Sequence, residues 1–294
     1  MRSDFCVFIL THGRPDRVYT FETLQKAGYT GRLYLVIDDE DETADEYRER
    51  FGDRVLQFSK AEIAATFDEG QNAGDRRAIV YARNACWELA ERVGVRYFVQ
   101  FDDDYSGFYI RFDSRGRYGS NRVKSTMDDL LSALVEFYEA TPALTLAISQ
   151  GGDHIGGEPK TIRMTRKAMN SFICSVDRPF KFRGRVNEDV NTYTSEARRG
   201  SLFLTVMQAQ LNQKATQSNA GGMTDLYLDS GTYVKSAFSV LYCPSGVRIG
   251  ELADPRSPHA RIHHKILWPF VAPKIVRESV RRPSPASSAP SAED

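Results

Sequence analysis

The sequence predicts an α/β protein with a mostly parallel central sheet and helices on both faces. Three observations carry that expectation. FCVFIL (5–10) and LYLVI (33–37) are unbroken apolar runs of strand length, the pattern of strands covered on both faces. Between them DRVYTFETLQKAGY sets Val18, Phe21 and Leu24 at helical spacing. VRYFVQF (95–101) then delivers Asp102, Asp103 and Asp104 at a strand's C-terminal end, where open α/β sheets place their ligands.

The remaining elements follow in chain order. The first helix ends near Gly28, and the acidic DDEDETADEYRERFG is a loop running into a short helix before RVLQF (54–58), a third strand. AIVYARNACWELAERV places Ala82, Cys86, Leu89 and Val93 on one helical stripe closed by Gly94. After the triple aspartate, RFDSRGRYGSNRVKS (111–125) is basic and glycine-containing, the composition of an exposed loop. TMDDLLSALVEFYEA predicts a helix and LTLAIS a strand. KTIRMT and SLFLTVMQAQL predict strands, and about 230–242 a helix. RRPSPASSAPSAED has the Pro and Ser content of a disordered tail. The expected organisation is one domain over 1–275, with 276–294 as tail.

Composition narrows the class. The 294 residues have a formal net charge of zero, but residues 1–110 carry 14 Lys plus Arg against 21 Asp plus Glu, and the rest 25 against 18. The resulting −7 and +7 allow an anionic partner on the second part; a solvated surface accounts for the same asymmetry. Cys6, Cys86, Cys174 and Cys243 lack the paired spacing of a zinc clamp or a thiol-exchange motif, and free thiols in a reducing cytoplasm are expected. No run approaches the ~20 apolar residues of a membrane span, so a soluble cytoplasmic protein is expected.

Three adjacent carboxylates repel one another, and a bound Mg²⁺ or Mn²⁺ is the simplest compensation. Strand alternation puts Asp102 and Asp104 on one face and Asp103 on the other. A solvated turn, or a cap made by Asp104 or Ser106, is the other reading of these residues. ARNACWELAERVGVRYFVQFDDD as a whole resembles the ARN helix, apolar strand and aspartate motif of GT-A glycosyltransferases, particularly those similar to family-two enzymes. The resemblance implies a GT-A fold with 1–110 as nucleotide-sugar part and 111–275 as acceptor part. It further implies Asp104 as metal ligand, Asp102 as ribose or metal contact, and Arg83 as a donor fork to phosphate. LTHGRPDR resembles the nucleotide-binding turn of that fold, implying base or phosphate contacts from Thr11 and Arg14. Asp38 and Asp39 stand where the fold offers a carboxylate to the nucleoside.

GRVNEDVNTYTSEARRG (184–200) places Glu188 and Asp189 ahead of a helix, with Asn187 in position to cap it. By the same resemblance one of the pair is the base that deprotonates the acceptor hydroxyl, Asp189 first and Glu188 second. Of the late histidines His259, His263 and His264, His263 is the expected further metal ligand. On a strand, only one of His263 and His264 can face the metal.

The acceptor side is basic. Arg111, Arg115, Arg117, Arg122 and Lys124, with Lys160, Arg163, Arg166, Lys167, Lys181, Arg183 and Arg185 later, could follow a phosphate backbone. Tyr118, Phe180 and Phe182 could stack on bases, and Tyr105 and Phe108 could pack near an acceptor. The order of ILTHGRPDRVYTFETLQKAGYTGRLYLVIDDEDE, ARNACWELA, FVQFDDD and NEDVNTY resembles the TET-associated glycosyltransferases of bacteriophages. The resemblance implies transfer of a sugar from a UDP-sugar, with Mn²⁺ or Mg²⁺, to hydroxymethylated pyrimidines in DNA, in the host cytoplasm. Transfer to a surface glycan, and nucleic-acid binding on a degenerate transferase scaffold, remain as alternatives.

Overall fold

The computed structural model describes residues 1–70, 76, 78–154, 165–214, 223–252 and 261–276. The strands are β1 (Phe5–Leu10), β2 (Arg32–Asp38), β3 (Val55–Phe58), β4 (Tyr97–Asp102), β5 (Tyr105–Phe112), β6 (Tyr118–Arg122), β7 (Ala143–Gln150), β8 (Phe172–Ser175), β9 (Leu202–Gln213), β10 (Val247–Leu252) and β11 (Arg261–Ile266). The helices are α1 (Tyr19–Lys26), α2 (Ala44–Phe51), α3 (Lys60–Ala64), α4 (Val80–Arg92), α5 (Met127–Ala140), α6 (Glu188–Arg198), α7 (Met223–Tyr242) and α8 (Trp268–Val271).

β1 to β9 form one sheet in the order β3-β2-β1-β4-β8-β7-β9-β5-β6, and β10 pairs with β11 apart from it. Parallel pairing links β3, β2, β1 and β4, and also β7 with β9. The other neighbours are antiparallel, so β8 and β5 run against the rest and the sheet is mostly parallel, as the apolar runs predict.

Alternation along the inner strands builds two cores. Phe5, Val7, Ile9, Val99 and Phe101 face one side with Leu24, Leu131, Val135 and Tyr138 of α1 and α5. Cys6, Phe8, Leu10 and Phe98 face the other with Tyr81, Trp87 and Leu89 of α4 and Tyr193 of α6. All four cysteines are buried free thiols. α1 stops where Gly28 takes φ +81 with its Cα toward Ser125, whose Cα would lie 2.7 Å from any added Cβ.

Three sequence expectations change. The segment 111–125 is a hairpin, β5 with β6 on the sheet edge, turning through 113–117 where Asp113 accepts from the backbone of Arg115 and Arg117. α4 is buried nearly all round, Arg83 and Asn84 included, because the 172–182 segment closes over its far side. β8, at four residues, is too short to announce itself by period, and the β10–β11 hairpin carries no continuous apolar run. KTIRMT, apart from Thr165, and the tail from 277 lie outside the described residues, as do Lys160, Arg163 and His259.

Candidate active site

The strand register decides where each aspartate goes. Leu10 pairs with Asp102, so the chain just beyond β1 lies beside Asp103. Asp103 points into the protein and is 2% exposed. It accepts from Thr11 Oγ1 at 2.7 Å and Arg14 Nε at 2.8 Å. Thr11 and Arg14, expected on a nucleotide, thus turn their side chains onto the aspartate whose role the sequence left open. Tyr47 fixes the same turn, with its hydroxyl 2.7 Å from Thr11 Oγ1 and accepting from Arg14 N at 3.0 Å.

Asp102 continues the face of Phe98 and Gln100, the face that α4 covers. Arg83 reaches it there, Nη2 to Oδ1 at 2.9 Å, while its Nε donates to Glu188 Oε1 at 2.9 Å. The guanidinium is 1% exposed, lies over Phe172, and has no partner at Nη1. The phosphate role expected of Arg83 is therefore corrected: it is a buried strut between two carboxylates. Asn84 clamps the next segment, donating to Phe182 O at 3.0 Å and accepting from Phe182 N at 2.8 Å.

Asp104 lies at the corner between β4 and β5, half-buried like Asp102. Gln213, paired across from Tyr105, sends its Nε2 to both carboxylates, 3.4 Å from Asp102 Oδ2 and 3.3 Å from Asp104 Oδ1. Burial pushes Asp102 up to about 7 against the pull of Arg83, with Asp104 adding to the rise; burial and then Asp103 raise Asp104. Two half-buried carboxylates sharing one neutral donor fit a divalent cation in donor chemistry, Asp102 already meeting Arg83 and Asp104 having no ion-pair partner among the described residues.

His263 does not join them. It sits on β11, its Nε2 3.1 Å from Lys167 Nζ, and His264 Nε2 lies 2.9 Å from the same ammonium. The two ring centroids are 4.1 Å apart, so both neighbours on the strand reach one cation. Among the described residues no group of three or more His, Cys, Asp or Glu is arranged to hold a metal. Burial, then Lys167, drive His264 down to about 2. These residues line a cleft of about 650 Å³ with Asp153, Arg166 and Trp268.

Glu188 and Asp189 open α6 as expected, and their fates separate. Glu188 is buried on Arg83, whereas Asp189 is half-buried and, among the described residues, bonds its neighbour Val190 N at 2.7 Å. Burial and then Glu188 push Asp189 up to about 6, offset by Arg83 and Lys167. Asn187 stands at the cap position but does not cap; its Nδ2 donates to Lys235 O at 2.6 Å and Ser239 Oγ at 3.1 Å, tying α6 to α7.

At the end of β2, Asp38 is 6% exposed and already held by His12 Nδ1 and Lys60 Nζ, each at 2.8 Å. Burial raises its carboxyl, but His12 and Lys60 outweigh that and hold it below the usual range; the bond to Asp38 raises His12. Asp39 is exposed and accepts from Lys60 N at 2.8 Å. His12, passed over in LTHGRPDR, is set beside Asp38 because the pairing of Leu10 with Val36 carries on past both strands. Lys60, Lys167 and Gln213 carry no sequence signal for the contacts they make.

On the acceptor side Arg111 lies over the Tyr118 ring at 4.6 Å, and Arg115 and Arg117 stand exposed at the hairpin turn. Arg183 pairs with Glu196 at 2.6 Å and Arg185 is buried, so these two are not part of that surface. Phe180 and Phe182 pack with Trp87, while Tyr105 and Phe108 are core, which removes them as base-stacking residues.

A search of curated proteins finds no match. Among solved structures, S. aureus TarS aligns at 14% identity over 72% of this chain with a TM-score of 0.42, and its 1–349 form at 11% over 73% with 0.41. This chain spans 37% and 61% of those two. Glucosyl-3-phosphoglycerate synthase from Mycobacterium tuberculosis, solved with Mn²⁺, UDP and phosphoglyceric acid, aligns at 13% identity over 90% of this chain and 87% of its own, with a TM-score of 0.46. A family model matches residues 5–222, a span that holds the aspartate corner, the ARN helix and the Glu188–Asp189 pair, and by that match the chain belongs to the TET-associated glycosyltransferases.

Proposed function

We propose that the protein is a metal-dependent glycosyltransferase that moves a sugar from a UDP-sugar to a hydroxyl on a 5-hydroxymethylcytosine-like base in DNA. One observation carries the chemistry: Arg83 joins the half-exposed carboxylate Asp102 to Glu188, which stands next to Asp189, so a cation-type site and a base-type site share one buried strut. Family membership supports the acceptor class.

Asp102 and Asp104 are the residues that would hold Mn²⁺ or Mg²⁺, which when bound supplies positive charge to the leaving diphosphate. His263 is left out of that set because it is engaged by Lys167. Asp189 takes the proton from the acceptor hydroxyl. The freed oxygen forms the new bond to the anomeric carbon, whose bond to the diphosphate breaks with its electron pair leaving on phosphate oxygen. A carboxylate raised toward neutrality is a better base for this step than Glu188, which the Arg83 ion pair ties up. The turn of Thr11 to Arg14 and the Asp38 cluster border the donor nucleoside, and Arg111, Arg115 and Arg117 supply charge on the acceptor side.

The test is incubation with nucleotide sugars, Mn²⁺ and hydroxymethylated DNA, followed by nucleoside mass. One added sugar, lost in Asp104→Ala, is expected. DNA retarded without metal or nucleotide, and never modified, would establish a binding protein instead.

A further inference from the structure

We propose that Gln213, aimed by Asn170, is a positioning residue that sets Asp102 and Asp104 for a divalent cation; this inference rests on the metal reading above. Gln213 ends β9, and pairing of Gln213 with Tyr105, together with Lys214 N donating to Asp104 O at 3.0 Å, fixes its backbone against the aspartate corner. Its Nε2 is shared between Asp102 Oδ2 and Asp104 Oδ1, one hydrogen for each. Ionised carboxylates only accept, so the amide must present its nitrogen to them. Its Oε1 is then left for Asn170, which donates from Nδ2 at 2.7 Å.

Asn170 is itself held in an unusual place. Its φ of +63° lies in the left-handed region, which Asn tolerates better than most side chains, and the Tyr105 hydroxyl donates to its carbonyl. Tyr105 follows Asp104 directly, so a closed circuit runs from the aspartate corner through Tyr105 and Asn170 to Gln213 and back. Asp102 also has Arg83; for Asp104, Gln213 is the side-chain donor among the described residues. Each carboxylate oxygen keeps a further lone pair, so the amide can hold the pair in place while both ligate.

The experiment measures Mn²⁺ affinity by calorimetry and by the Mn²⁺ paramagnetic resonance signal, with UDP present, on full-length protein. Gln213→Met keeps the volume and removes the donors, and Gln213→Ala replaces it if the first variant fails to fold. Either is expected to weaken Mn²⁺ binding about 10-fold or more, the usual cost of losing a partner of a metal ligand, with metal-free UDP affinity unchanged. Asn170→Gly retains the left-handed backbone and should weaken Mn²⁺ in the same direction, and combined with Gln213→Met it should add nothing. Wild-type affinity in the Gln213 variants, or additive losses in the double variant, would overturn this inference alone. A wild-type protein that binds no Mn²⁺ would overturn the metal reading and this inference with it.

Discussion

Glu188 and Asp189 leave the first turn of α6 toward different partners. Replacing Glu188 by Ala leaves the fully buried Arg83 guanidinium with one carboxylate, Asp102, in place of two, so a fall in thermal stability is expected for Glu188→Ala. Asp189→Asn should fold normally and lose roughly 10²–10⁴-fold in kcat, read in a transfer assay with UDP-sugar affinity as control. The base must be ionised to act. With Asp189 raised to about 6, kcat/KM should fall about tenfold per pH unit below that value and level off above it; a profile flat down to pH 4.5 would exclude Asp189. The sequence singled out both acids but could not rank them by environment. What separates them is the reach of Arg83, which lies 105 residues away along the chain.

Among the elements, those with a continuous apolar run were legible: β1, β2, β4, β7 and β9 lie where the sequence predicts them, because burial on both faces writes itself as composition. The 111–125 part of the β5–β6 hairpin was read as a loop since that stretch is polar; it holds its place because β5 sets Tyr105 and Phe108 into the core and pairs with β9, and β6 pairs with β5. This changes how the basic side chains act. Arg115 and Arg117 project from an ordered edge turn, both exposed although Arg117 also pairs with Asp113 at 2.7 Å, while Arg183 is tied to Glu196 and less exposed and Arg185 is buried. Arg115→Ala with Arg117→Ala should therefore weaken binding of duplex DNA and lower the slope of log affinity against log salt by about 0.9 for each phosphate no longer neutralised. Arg183→Ala should act through stability, with the slope unchanged. Binding measured at several salt concentrations separates the two.

Across the molecule, the acidic ends of β2 and β4 belong to one half of the sheet and the basic β5–β6 hairpin forms the opposite edge, with Asp104 at the corner from which β5 leads away. That layout was foreshadowed by the −7 and +7 halves, but the joins between them were not. Gln213 and Lys167 have no pattern of their own and Asn187 was read as a cap it does not make, and each acts through a partner set by tertiary register. The whole-chain consequence is thermodynamic linkage. A metal and nucleotide that bind only the folded state stabilise it by about 2.7 kcal/mol at a hundredfold excess over Kd. For a chain of this size that corresponds to a rise in Tm of several degrees, at roughly 2–4 °C for each kcal/mol. Mn²⁺ with UDP should produce such a rise in the wild-type protein, chelator should reverse it, and Asp104→Ala should abolish the metal-dependent part. Because Asp104 has no cation within ion-pair distance and Gln213 as its side-chain donor among the described residues, its replacement should leave the metal-free Tm unchanged or raised. A lowered metal-free Tm in Asp104→Ala would mean that the corner is built for structure rather than for a cation.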